Sequence, residues 1–91
     1  MIKKVFDVYC DPSHGWLKVK KSFLEKLGIA DKITHYSYQR GDYAYLEEDC
    51  DASNFVGAYE DMFKIRPKFR VHHSDKLSRI RNYDDYCIGL N

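Results

Sequence analysis

Long apolar runs are missing from this chain, and so is net charge. Nowhere in its 91 residues is there a stretch approaching the roughly 18 consecutive apolar residues of a membrane-spanning helix. The opening MIKKVFDVYC sets its lysines before only a short mixed run, unlike the apolar core of a secretion signal. A cytoplasmic protein with no membrane partner is therefore expected. Cysteine is sparse: Cys10, Cys50 and Cys87 are odd in number and far apart, which suits reduced thiols rather than a disulfide framework. No internal repeat, low-complexity tract or compositional break marks a second unit, so residues 1–91 are expected to form a single α+β domain. Residues 84–91 are expected to be a fraying tail. Apolar residues, by contrast, are plentiful at 44%, with eight Tyr and five Phe, more than a disordered chain carries. A domain of this size buries only about 60–65% of the surface its unfolded chain exposes, so its stability margin is thin.

The net charge of +1 conceals a segregation. Residues 42–61 hold Asp42, Glu47, Glu48, Asp49, Asp51, Glu60 and Asp61 and no Lys or Arg. Residues 64–81 hold Lys64, Arg66, Lys68, Arg70, Lys76, Arg79 and Arg81 against the single Asp75. Either the two blocks neutralise each other across the fold, or they present an acidic and a basic face that steer different partners.

Strand and helix periods alternate along the chain. In IKKVFDVYC, Val5, Asp7 and Tyr9 oppose Phe6, Val8 and Cys10, the pattern of a mostly buried strand. DPSHGW reads as an ordered loop, with Asp11 and Pro12 initiating a turn. VKKSFLEKLG puts Val19, Phe23, Leu24 and Leu27 on one helical face, with Gly28 as a left-handed stop. Strands are expected over 33–39 and 43–48, joined by a hairpin turn around Arg40, Gly41 and Asp42 and zipped by cross-strand tyrosines. From Ala52, residues Phe55, Val56, Tyr59, Met62 and Phe63 recur at helical spacing until Pro67 stops the helix. KFRVHH alternates again as a fourth strand. The order β-α-β-β-α-β predicts a mostly antiparallel four-stranded sheet with two helices on one face, compatible with a split βαβ arrangement.

Three constellations are candidate sites. In YLEEDCDAS, Asp51 stands where its carboxylate would accept from amides at the start of the second helix, with Asp49 and Glu48 near the positive end of the helix dipole. That leaves Glu47 and Glu48 without a local structural role. EEDCD lacks the glycine-containing twelve-residue spacing of a calcium loop, and no His or Cys pair shows zinc-ligand spacing, so no metal and no cofactor is expected. Only the fold decides whether Cys10, His14, Cys50, His72 and His73 converge. The second constellation is Asp11, His14 and Trp16, with Arg40 as a further candidate for the same pocket; an imidazole could do acid-base work there and an indole could stack or plug. The plainer alternative has Asp11 capping its turn and Trp16 in the core. No nucleophile with a base and an orienting group can be picked out, so no catalytic residue is assigned and an enzyme is not expected. The third is the basic RPKFRVHHSDKLSRIR, where Lys68, Arg70, Arg79 and Arg81 could track phosphates beside aromatic rings.

Taken together, YCDPSHGWLKV, SYQRGDYAYLEEDCDAS and SRIRNY, spread over residues 5–83, resemble a family of small proteins encoded by bacteriophages and prophages. No activity comes with the resemblance. It implies expression in an infected bacterial cell, where small single-domain phage proteins often bind and redirect a host protein, antiphage-defence components such as CRISPR effectors included. The expected function is accordingly a binding protein, monomeric or homodimeric, that modulates a host protein. Its expected contact surface is acidic and tyrosine-rich: Asp42, Glu47, Glu48, Asp49, Tyr38, Tyr43 and Tyr45. Nucleic-acid binding through the basic C-terminal strand is the alternative, and a small ligand-binding module or enzyme centred on Asp11, His14 and the LEEDCD carboxylates a third.

Overall fold

Alternating side chains in VFDVYC and GWLKVK demand strands with two different faces, and the chain builds its sheet on them. The computed structural model describes residues 5–88. Six strands and two helices follow in the order β1 (Val5–Cys10), β2 (Gly15–Lys20), α1 (Lys21–Lys26), β3 (Tyr38–Arg40), β4 (Tyr43–Glu47), α2 (Asp51–Phe63), β5 (Lys68–His73) and β6 (Asp84–Asp85). Short 3-10 turns lie at Ala30–Lys32 and Arg79–Asn82. The sheet order is β5-β1-β2-β4-β3-β6, with β5 parallel to β1 and every other neighbour antiparallel. The α+β class stands. The four-stranded, split βαβ expectation does not, because the sheet is mixed and has six strands.

The extra strand before the first helix is the largest departure. The expected loop through Trp16 closes sooner, over Asp11 to His14, and Gly15–Lys20 pairs with β1 on one side and β4 on the other. Val19, grouped above with the helix, points with Leu17 into the core from β2. The helical part shrinks to six residues, ending at Gly28 with φ of +76°, the left-handed stop expected there. Strand β3 is also shorter than expected, since Thr34 and Ser37 turn their polar groups onto Asp51 instead of pairing. Lys64 in the left-handed region ends α2, three residues ahead of Pro67. Residues 84–86 do not fray: β6 pairs with β3, and the buried Tyr86 donates its hydroxyl to the Ala30 carbonyl at 2.6 Å. Cys87 and Ile88 follow as exposed residues, and the last part of the expected tail, 89–91, lies outside the described residues.

Both helices cover the same face. Leu24 of α1 and Phe55 and Tyr59 of α2 pack on Phe6, Leu17, Val19, Ala44 and Leu46. Fully burying a side chain such as Leu24, Leu46 or Phe55 contributes roughly 1.5–3 kcal/mol. The other face has its own smaller cluster of Trp16, Tyr45 and Ile80, edged by Tyr9, Tyr38, Tyr43 and Tyr83. No helix covers it. Its lid is the segment 74–83, which crosses from β5 at one edge of the sheet toward β6 at the other.

Candidate functional site

Period-two alternation places Tyr9 of β1, Trp16 and Lys18 of β2, Tyr43 and Tyr45 of β4, Tyr38 of β3 and His72 of β5 on the helix-free face. Between these side chains and the crossing segment lies a cleft of about 570 Å³. Tyr9, Tyr45 and Tyr83 give it aromatic walls, Ile80 and Leu77 an apolar stretch, and Lys18, Lys76, Arg79 and His72 its charge-bearing and titratable groups. None of its lining residues is an Asp or Glu. The Lys18 ammonium lies 4.3 Å from the centre of the Tyr43 ring, a cation–ring contact, and Tyr9 stacks on the His72 ring with centroids 4.8 Å apart. Burial pushes the Tyr45 phenol above its ordinary range, which keeps it a hydroxyl donor.

One carboxylate locks the lid of this cleft. The buried Asp11 accepts from the amides of Ser13, His14 and Ser78, each at 3.0 Å, and from Arg81 Nε at 2.7 Å and Nη2 at 3.0 Å. The Arg81 guanidinium, and after it these amides, hold the Asp11 carboxyl far below the usual range despite its burial. The same guanidinium lies 5.3 Å from the centre of the Trp16 ring. Asp11 thus caps its own turn, as the plainer reading had it, and also ties that turn to the crossing segment.

The expected pocket is not assembled as one. Asp11, Trp16 and Arg81 meet, but Asp11 and Trp16 are buried, with Trp16 in the small core. Arg40 lies instead over the Tyr83 ring at 5.1 Å. His14 faces solvent, with Nδ1 3.9 Å from Glu48. No group of three or more His, Cys, Asp or Glu placed to hold a metal occurs among the described residues. Cys10, Cys50 and Cys87 are free thiols, and burial raises Cys10 above the ordinary thiol range.

The expected acidic, tyrosine-rich surface is divided as well. Tyr45 is buried and Tyr38 and Tyr43 are half-buried, their rings committed to the second core. Glu47 has a local role after all: its carboxylate accepts from the amides of Cys50 at 2.6 Å, Asp49 at 3.1 Å and Asp51 at 3.2 Å, capping α2. Asp51, the expected cap, is turned inward and takes Thr34 and Ser37. Glu48 and Asp49 remain exposed at one end of β4, and Asp42 is exposed in the turn at its other end. Of the basic set, Arg70 is paired with Asp7 at 2.8 Å and Arg81 with Asp11, whereas Lys68 and Arg79 are exposed.

Lys18, Tyr9, Lys76 and Tyr83 were missed as site residues. For Tyr9 and Lys18 the signal was the period of two within each strand, visible once GWLKVK is read as a strand, whereas Lys76 and Tyr83, in the crossing segment, carried no such signal. No family model matches the chain, and searches of curated proteins and of solved structures found no similar protein.

Proposed function

We propose that this chain is a non-catalytic binding module whose cleft on the helix-free sheet face takes single-stranded nucleic acid. One observation carries the reading: the cleft brings tyrosine rings together with Lys18, Lys76 and Arg79 and has no carboxylate in its lining. Rings accept bases by stacking, at about 1–3 kcal/mol per base, while the cations follow the phosphates. Of the expected basic set, Arg79 serves this role, joined by Lys18 and Lys76, whereas Arg70 and Arg81 are already committed to Asp7 and Asp11 and Lys68 lies outside the cleft. The test is anisotropy of labelled single-stranded DNA and RNA over a salt series. Binding at low salt should weaken steeply as salt rises, and Lys18→Glu or Arg79→Glu should each lower the salt slope by about one. No binding at low salt, or two charge-reversal variants that bind like wild type, removes the proposal.

A second reading keeps the host-protein partner implied by the phage resemblance, an antiphage-defence component among the candidates. It is favoured by the exposed turn at Glu48 and Asp49, which presents two acids beside a capped helix start. Glu48→Lys combined with Asp49→Lys leaves the Glu47 cap in place, so the fold should persist. Loss of a host protein that co-purifies with wild type supports this reading, and an unchanged set of co-purifying proteins ends it.

A further inference from the structure

Among the described residues the sheet stops at β5, and no strand pairs with its outer edge. All six residues of β5 are exposed, and its one neighbour among the described strands is β1. Ser74 N–H donates to the Cys10 carbonyl at 2.9 Å, toward β1. Backbone groups alternate in direction along a strand, so the N–H and C=O of Phe69, Val71 and His73 point away from β1, into solvent. A full-length, partly apolar edge of this kind is one that folded proteins usually shorten, bulge or cover.

The two sides of this edge differ in chemistry. Phe69 and Val71 align with Phe6 and Val8 and so share the helix-covered side. The helix α2 stops short of them: they remain 41% and 50% exposed, and they wall a groove of about 420 Å³ whose opposite wall is Ala52 and Val56. On the other side β5 presents Lys68, Arg70 and His72, and a single carboxylate, Asp7, serves both Arg70 and His72. That side of the edge is net positive.

We propose that β5 is a docking edge for an extended segment of another protein in which apolar residues alternate with acidic ones. The segment adds to the sheet as a further strand. Its backbone satisfies the outward groups of Phe69, Val71 and His73, its apolar side chains enter the groove against Val56, and its carboxylates lie beside Lys68, the cation of that side that Asp7 does not hold. Main-chain bonds supply affinity in this mode, and the alternating side chains supply selectivity. A second copy is a poorer occupant, because two β5 strands side by side would bring two sets of Lys68 and Arg70 to the same side. The edge meets the cleft at His72 and His73, but Lys68, Phe69 and Val71 lie outside the cleft's lining, so neither proposal depends on the other.

The probe is a labelled short peptide alternating valine with glutamate, compared by anisotropy with its valine–lysine counterpart. Val71→Pro removes an outward N–H while sparing the bonds to β1, the placement a strand proline tolerates. The glutamate peptide should bind wild type and lose about tenfold or more on Val71→Pro at unchanged Tm, the loss of a bond plus the ring in the way of the incoming strand. Should Val71→Pro fail to fold, Val71→Lys, which charges the groove at an exposed site, should give a similar loss. Equal affinity for the two peptides, equal affinity for wild type and both variants, or no binding of the glutamate peptide overturns the proposal. So does a wild-type dimer in sedimentation that Val71→Pro dissolves, which would make a second copy the occupant.

Discussion

Five donors converge on the Asp11 carboxylate, and two of them belong to Arg81 in the crossing segment. The charge is therefore worth more folded than unfolded, and the folded state binds its proton less readily. Its stabilising contribution is fully present above the ordinary carboxylate pKa of about 3.9 and is lost as pH falls from there toward the lowered folded value. Asp7, lowered first by its hydrogen bond to Arg70 and then by His72, adds in the same direction. Asp11→Asn should lower Tm at pH 7, and the gap between variant and wild type should narrow as pH drops below about 4. A gap of constant size down to pH 2 would contradict this role for the charge. The turn-capping half of this arrangement was legible in DPSHGW, because an Asp that opens a turn has the amides two and three residues on within reach of its carboxylate. Its link to Arg81 was not, since nothing local connects residues 70 positions apart in sequence.

At the scale of elements, the start of α2 shows how a correct reading of chemistry can be assigned to the wrong residue. A carboxylate was expected on the first amides of the helix, and one is there, contributed by Glu47 from the end of β4 rather than by Asp51. Asp51 is pulled inward because Thr34 and Ser37, on a segment read as strand, offer it two hydroxyls and an amide. Both errors have one source, a tertiary contact between 34–37 and 51. Glu47→Ala should cost about 1 kcal/mol of stability, the usual value of a helix cap. Glu48→Ala, at an exposed position, should change it by less than about 0.5 kcal/mol. Urea midpoints at constant m-value separate the two, and equal costs would show that Glu47 does not act as the cap. Strand β2 was hidden for a different reason: Val19, Phe23, Leu24 and Leu27 do share a helical face, so the helical period ran smoothly across a boundary that only pairing with β1 and β4 fixes.

For the whole molecule, composition and periodicity gave the α+β class, the long helix and the amphipathic strand at 68–73. The division of charge also survives as a division of roles, though not as two opposed faces. The acids of residues 42–51 are spread over a turn, a cap, a buried network and an exposed tip, and the cations of 64–81 are divided among three ion pairs, a cleft and an edge. The lone parallel pairing also sets an order of assembly. Strands β1 to β4 are neighbours through antiparallel pairings that close comparatively short stretches of chain, whereas β5 reaches β1 only at a sequence separation of 63, as the Arg70–Asp7 bond measures. Closing so long a loop costs entropy before any contact returns it, so β5 should join after the antiparallel core is in place and leave before it. In native-state hydrogen exchange, the amides of Arg70 and His72 should open at lower free energy than those of Leu17, Val19 and Leu46. Uniform protection across the sheet would show instead that the parallel edge and the antiparallel core unfold as one cooperative body.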